Sequence, residues 1–108
     1  MTGRNAMRGY PGHVTTSVAK HGLWGLTKTL SREFGPQGIT VNAISPGVID
    51  TRIDPEFKAR AQKVAETEIP VRRIGKPEEI AAMCGLLCSD EGGFVNGQMI
   101  GVNGGIDT

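Results

Sequence analysis

The sequence predicts an α/β fold built on a parallel sheet. Three observations carry this. Apolar residues recur at spacings of three and four in long stretches. Two short runs rich in branched side chains interrupt them. The order along the chain is helix, strand, helix, helix, strand, the alternation from which parallel sheets are made.

Residues 1 to 12 read as loop, broken by Gly3, Gly9, Pro11 and Gly12. From about His13 to Phe34 the pattern is helical, with Leu23, Leu26, Leu30 and Phe34 stepping by three, four and four. Gly22 and Gly25 each cost a helix roughly 1 kcal/mol against alanine. Their presence predicts close approach of another element. Gly35-Pro36-Gln37-Gly38 ends the helix.

Ile39 to Ser45 (ITVNAIS) alternates apolar and polar residues and reads as a strand, followed by the loop PGVIDT. Asp54 then stands as an N-cap with Pro55 at the first helical position. Phe57, Ala61, Val64 and Ala65 stripe this helix, and Ile69-Pro70 stops it. A further helix starts at Pro77, where Glu78 and Glu79 suit the positive end of the dipole. Ile80, Cys84, Leu87 and Cys88 form its expected buried stripe. Gly92 and Gly93 follow it, and Gln98 to Asn103 (QMIGVN) is the second strand.

The 108 residues suffice for one domain and not for two. A formal net charge of +1 favours neither nucleic acid nor an acidic membrane surface as partner. No apolar run reaches the roughly 18 residues of a membrane span, and no apolar stretch after Arg4 makes a signal peptide. Two cysteines do not form a secreted disulfide framework. They read as small buried residues in a reducing cytoplasm, without the neighbouring ligands a metal would need.

SVAKHGLWGLTKTLSREFGPQGITVNAISPGVIDT and RRIGKPEEIAAMCGLLCSDEGGFVNGQMIGVNGG resemble the second half of a short-chain dehydrogenase/reductase. The group closest in flavour contains the 3-oxoacyl-(acyl-carrier-protein) reductases. The resemblance runs from about Gly12 to Gly105, with several signatures in the family's order. It implies a doubly wound, Rossmann-type parallel sheet that moves hydride between NAD or NADP and a small carbonyl or alcohol substrate. Residues 1–108 would be the C-terminal part of one such NAD(P)-binding domain, and the full-length parent a homo-oligomer, dimer or tetramer. Residues 13 to 34 would be the active-site helix and residues 53 to 69 the substrate lid.

On the same resemblance, Lys20 is the active-site lysine, which holds the nicotinamide ribose and lowers the pKa of a neighbouring tyrosine. A nearby cation favours a phenolate and draws a value near 10 toward working pH. In SPGVIDT, Pro46 and Gly47 would let the backbone pass close to the nicotinamide. The backbone of Ile49 and the hydroxyl of Thr51 would bond its carboxamide or a phosphate. RRIGKPEEI reads as structural, a proline and acidic pair that set up a helix start. VNGG resembles the family's last strand and turn.

Several family parts do not occur in the sequence. No glycine-rich phosphate loop opens a helix, and Gly101 to Gly105 only follows a last strand. The family's acidic ribose reader and active-site serine are also missing, so Met1 is expected to be an internal methionine or a mistaken start. The tyrosine is replaced. Four residues before Lys20 stands Thr16, whose hydroxyl is a far weaker acid than a phenol. His13, with an unperturbed pKa near 6.5, and Tyr10 are the two substitute donors. The alternative reading is a non-catalytic remnant or association module, with Gly22, Leu23, Trp24 and Leu26 as its contact surface.

Overall fold

The computed structural model describes Gly9, residues 11–51 and residues 54–107. Tyr10, one of the two substitute donors, lies outside the described residues, as do Arg52 and, at the start of the expected lid, Ile53. Three α-helices and two strands are described: α1 (Val14–Phe34), β1 (Ala43–Pro46), α2 (Pro55–Thr67), α3 (Pro77–Leu87) and β2 (Met99–Val102). The strands pair in parallel, Ala43 opposite Met99 and Pro46 opposite Val102, with α2 and α3 in the crossover between them. The expected α/β order is therefore present, and a parallel pair requires a crossover of this kind.

Both strands are shorter than their sequence runs. The missing part of the first is accounted for by asparagines. Val41 N–H donates to Asn96 Oδ1 at 2.8 Å, and Asn42 Nδ2 donates to the Val95 carbonyl at 2.7 Å. Asn42 Oδ1 in turn accepts Gln98 N–H at 3.0 Å. Side-chain amides here substitute for ladder bonds, so residues 39–42 run beside 95–98 without forming strand. Within β1 itself Ala43, Ile44 and Ser45 are all buried, as expected of a strand covered on both faces.

Helix α2 begins as its sequence dictates. Asp54 caps it, accepting the N–H groups of Glu56 and Phe57 at 3.1 and 3.3 Å. Its stripe buries Ala61 and Ala65, and Ala65 joins Ile69 and Ile106 in the core, with Val48, Val64 and Ile74 packed against them. Helix α3 starts at Pro77, and Glu79 Oε2 accepts the N–H of Lys76 at 2.8 Å.

Two expectations fail. Cys84 and Cys88 are exposed free thiols, not buried residues, and in α3 only Ile80 is buried. Along the expected stripe Leu87 is half-buried while Cys84 and Cys88 are exposed, so the described residues do not cover the later turns of α3. Gly22 and Gly25 are not sites of close approach either. A Cβ at either would meet nothing within 4 Å among the described residues. Both are exposed and leave bare helix backbone open.

Candidate functional site

Helix α1 presents two different faces. At 3.6 residues per turn, Thr16, Lys20, Thr27 and Ser31 fall within about 60° of one another. Thr27 and Ser31 are buried, while Thr16 and Lys20, nearer the free end, are half-buried. Thr16 and Lys20 therefore project from the side of α1 that faces the sheet, one turn and about 6 Å of rise apart. His13 stands at the N-cap, exposed and outside the helix proper, and makes no side-chain cap bond.

The loop after β1 leaves the carboxyl end of the sheet, where open α/β folds bind ligands. Its first residues stay with β2: Gly47 N–H donates to the Val102 carbonyl at 3.1 Å. The need for glycine at 47 is internal. A Cβ there would lie 2.7 Å from Asn103 Cα and 2.9 Å from its carbonyl oxygen. Sequence reasoning assigned this glycine to the passage of a ligand. The close approach found is that of Asn103, whose own side chain accepts Gly105 N–H and donates to Asp107, each at 3.0 Å.

Past Gly47 the loop changes partner. Ile49 forms an isolated parallel bridge with Gly75. Gly75 N–H donates to the Val48 carbonyl and Asp50 N–H donates to the Gly75 carbonyl, both at 2.9 Å. Extended backbone alternates its polar groups, so the N–H and carbonyl of Ile49 point away from Gly75. That carbonyl accepts Thr51 N–H at 2.9 Å. The N–H of Ile49 has no partner among the described residues, and Thr51 is exposed. A backbone donor without a partner among the described residues, two positions before an exposed threonine and at the carboxyl end of a parallel strand, suits an amide carbonyl or a phosphate oxygen.

The chain is similar to known proteins over nearly its whole length. A family model described as enoyl-(acyl carrier protein) reductase matches residues 1–107. The 3-oxoacyl-(acyl-carrier-protein) reductase of Thermotoga maritima is 41% identical over 98 residues, covering 91% of this chain and 40% of that protein. The chain belongs to the short-chain dehydrogenase/reductase family. A short-chain dehydrogenase from Bacillus anthracis superposes with a TM-score of 0.86 at 38% identity, over 100% of this chain and 42% of that one. A blue fluorescent protein from a metagenomic library, solved in complex with NADPH, gives 0.87 at 31% identity, over 98% of this chain and 43% of its own. The chain thus spans about two fifths of the length of the relatives it matches.

Within this short-chain dehydrogenase/reductase chain two cavities flank the sheet end. One, of about 380 Å³, is walled by Val48, Ile49, Ile69, Val71, Arg73, Gly75 and Glu79 and by residues 101–105. The other, of about 270 Å³, lies between Trp24 of α1 and the strands, and includes Ser45, Asn103 and Asp107. The Ser45 hydroxyl and one Asp107 carboxylate oxygen are buried without a hydrogen-bond partner among the described residues. Lys20 and Thr16 line neither cavity. Sequence reasoning missed Asn103 and Gly75 as parts of the site. The signal available was only their place beside glycine or proline in VNGG and IGKP.

Proposed function

We propose that residues 1–108 form the active-site-helix and nicotinamide-loop portion, C-terminal in its domain, of an NAD(P)-dependent oxidoreductase acting on a small carbonyl or alcohol. The observation that carries this is the N–H of Ile49, without a partner among the described residues and turned away from Gly75 at the carboxyl end of β1. In this reading Ile49 N–H and the Thr51 hydroxyl hold the carboxamide. Pro46 and Gly47 set the path of the loop toward them. Lys20, on the sheet-facing side of α1, holds the ribose hydroxyls. A bound nicotinamide supplies or accepts the hydride. Thr16 holds the substrate oxygen by a hydrogen bond but is too weak an acid to protonate it well, which leaves His13 or Tyr10 as the donor if the site is active.

A chimera joining the first three fifths of a relative to this chain tests the reading. The chimera should bind NADH or NADPH, and Lys20→Ala should weaken that binding. Thr16→Tyr should raise carbonyl reduction at least tenfold, since general acids contribute about 10²–10⁴. No gain sinks the donor argument, and a loss of activity in His13→Ala or Tyr10→Phe would identify the donor instead. The 108 residues alone should bind neither cofactor tightly. Their sequence contains no phosphate loop at a helix N-terminus, the part that supplies the anion contacts. A micromolar constant by calorimetry would refute this.

One observation favours the second reading, an association module. Val14, Val18, Gly22, Gly25 and Leu26 fall within about 120° on the far side of α1, with Val14 73% and Val18 67% exposed. Of the residues expected at this surface, Gly22 and Leu26 lie on it, while Leu23 and Trp24 are half-buried on other faces. Sedimentation of the chain and of Val18→Lys separates the readings: association that survives the lysine would discount this face.

A further inference from the structure

The turn between α2 and α3 touches two segments distant from it in sequence and is tied to the helix that follows it. Val71 N–H donates to the Gly104 carbonyl just beyond β2, at 3.3 Å. Gly75 exchanges two hydrogen bonds with the loop after β1, through Val48 and Asp50. Arg73 forks onto Glu79 of α3, its Nη1 and Nη2 donating to the two carboxylate oxygens at 2.8 and 2.6 Å. The same carboxylate accepts Lys76 N–H. Residues 73 and 76 are therefore tied to one side chain of α3, and Gly75 is held between them.

The loop depends on this arrangement. The β1–β2 ladder reaches no further than Gly47. From Val48 to Asp50 the only backbone partner outside the loop, among the described residues, is Gly75. The fit there is close: a Cβ at Gly75 would lie 2.7 Å from Ile49 Cδ1. A single bridge has no neighbouring rungs to hold its register, so its geometry is set by whatever fixes Gly75. We propose that Glu79, with Arg73, is a positioning residue for the nicotinamide loop. It acts through Gly75 to aim the Ile49 N–H away from the turn. This rests on the cofactor reading above, and neither residue is assigned a contact with the nicotinamide.

The test uses the 108-residue chain without cofactor, so its result is independent of whether nicotinamide binds. Residue-specific amide exchange is followed by NMR in the parent, in Glu79→Gln and in Arg73→Lys, which keeps the charge but loses the fork. The amides of Asp50 and Gly75 should exchange at least about threefold faster in Glu79→Gln, within the range exposed ion pairs contribute. Arg73→Lys should fall between that variant and the parent. Ala43 and Gly47, which bond residues 98 and 102, should be unchanged in both. Unaltered exchange at Asp50 overturns the proposal. So does equal acceleration at Ala43, because the pair would then support the whole fold, and a variant that does not fold counts as that outcome. Loss of cofactor binding by the chimera, with the exchange pattern as expected, would instead refute the cofactor reading and leave the coupling in place.

Discussion

Replacing Gly47 with alanine should cost about 2–3 kcal/mol. The added Cβ would sit 2.7 Å from Asn103 Cα, 2.9 Å from Asn103 Cβ and 2.9 Å from its carbonyl oxygen. Carbon atoms rest about 3.5–4.0 Å apart, so one chain must retreat by roughly 1 Å. Two of the three atoms are backbone, so no rotamer change relieves the clash. Overpacking of this sort costs typically 1–3 kcal/mol. The upper half applies because retreat also stretches the Gly47–Val102 hydrogen bond of 3.1 Å. Gly85→Ala is the control. Gly85 is exposed inside α3, and a Cβ there meets nothing within 4 Å, so alanine should stabilise by about 0.5–1 kcal/mol. Urea unfolding followed by Trp24 fluorescence should separate the two midpoints by about 1 M or more, given slopes of about 1–3 kcal/mol/M. A Gly47→Ala midpoint within error of the parent would refute the claim that Asn103 demands glycine here.

Two further outcomes follow from the helix starts. Asp54→Ala should destabilise α2 by about 1 kcal/mol and speed exchange of the Glu56 and Phe57 amides it accepts; unchanged exchange at both would contradict the cap. The Glu79 carboxyl is held at about 2 by the Arg73 hydrogen bond first and the Lys76 N–H second. Its folded value lies below its unfolded one, so its contribution is fully present above about pH 4.5 and is lost as pH falls toward 2. Glu79→Gln should therefore flatten the fall in stability across that window, more visibly at low salt because the pair is exposed.

The parts of the fold legible in the sequence were those that neighbouring residues settle. Asp54-Pro55 and Pro77-Glu78-Glu79 start helices where they stand because caps and first-turn charges act within three residues. The spacing of Thr16 and Lys20 is likewise local, since any helix brings i and i+4 to one face. The first strand was overextended because Asn42 and Asn96 look like ordinary polar positions along the chain. Only their juxtaposition across 54 residues turns them into substitutes for ladder bonds.

The same division explains the misread stripe of α3 and the further demand that Asn103 places on the glycine of the loop. Periodicity shows which residues share a face, and it is silent on whether anything covers that face. Cys84 and Cys88 share one with Ile80, yet only Ile80 is buried and both thiols are exposed. At Gly47 the residue type was legible and its cause was not. A glycine that clears a ligand and one that clears Asn103 are identical in sequence, and both are glycine because a methyl has no room. The two causes differ in consequence. The first would leave the free protein indifferent to alanine and penalise only the complex. The second makes the end of β2 part of the loop's own architecture, so that substitutions at Asn103 should disturb the loop with no ligand bound at all.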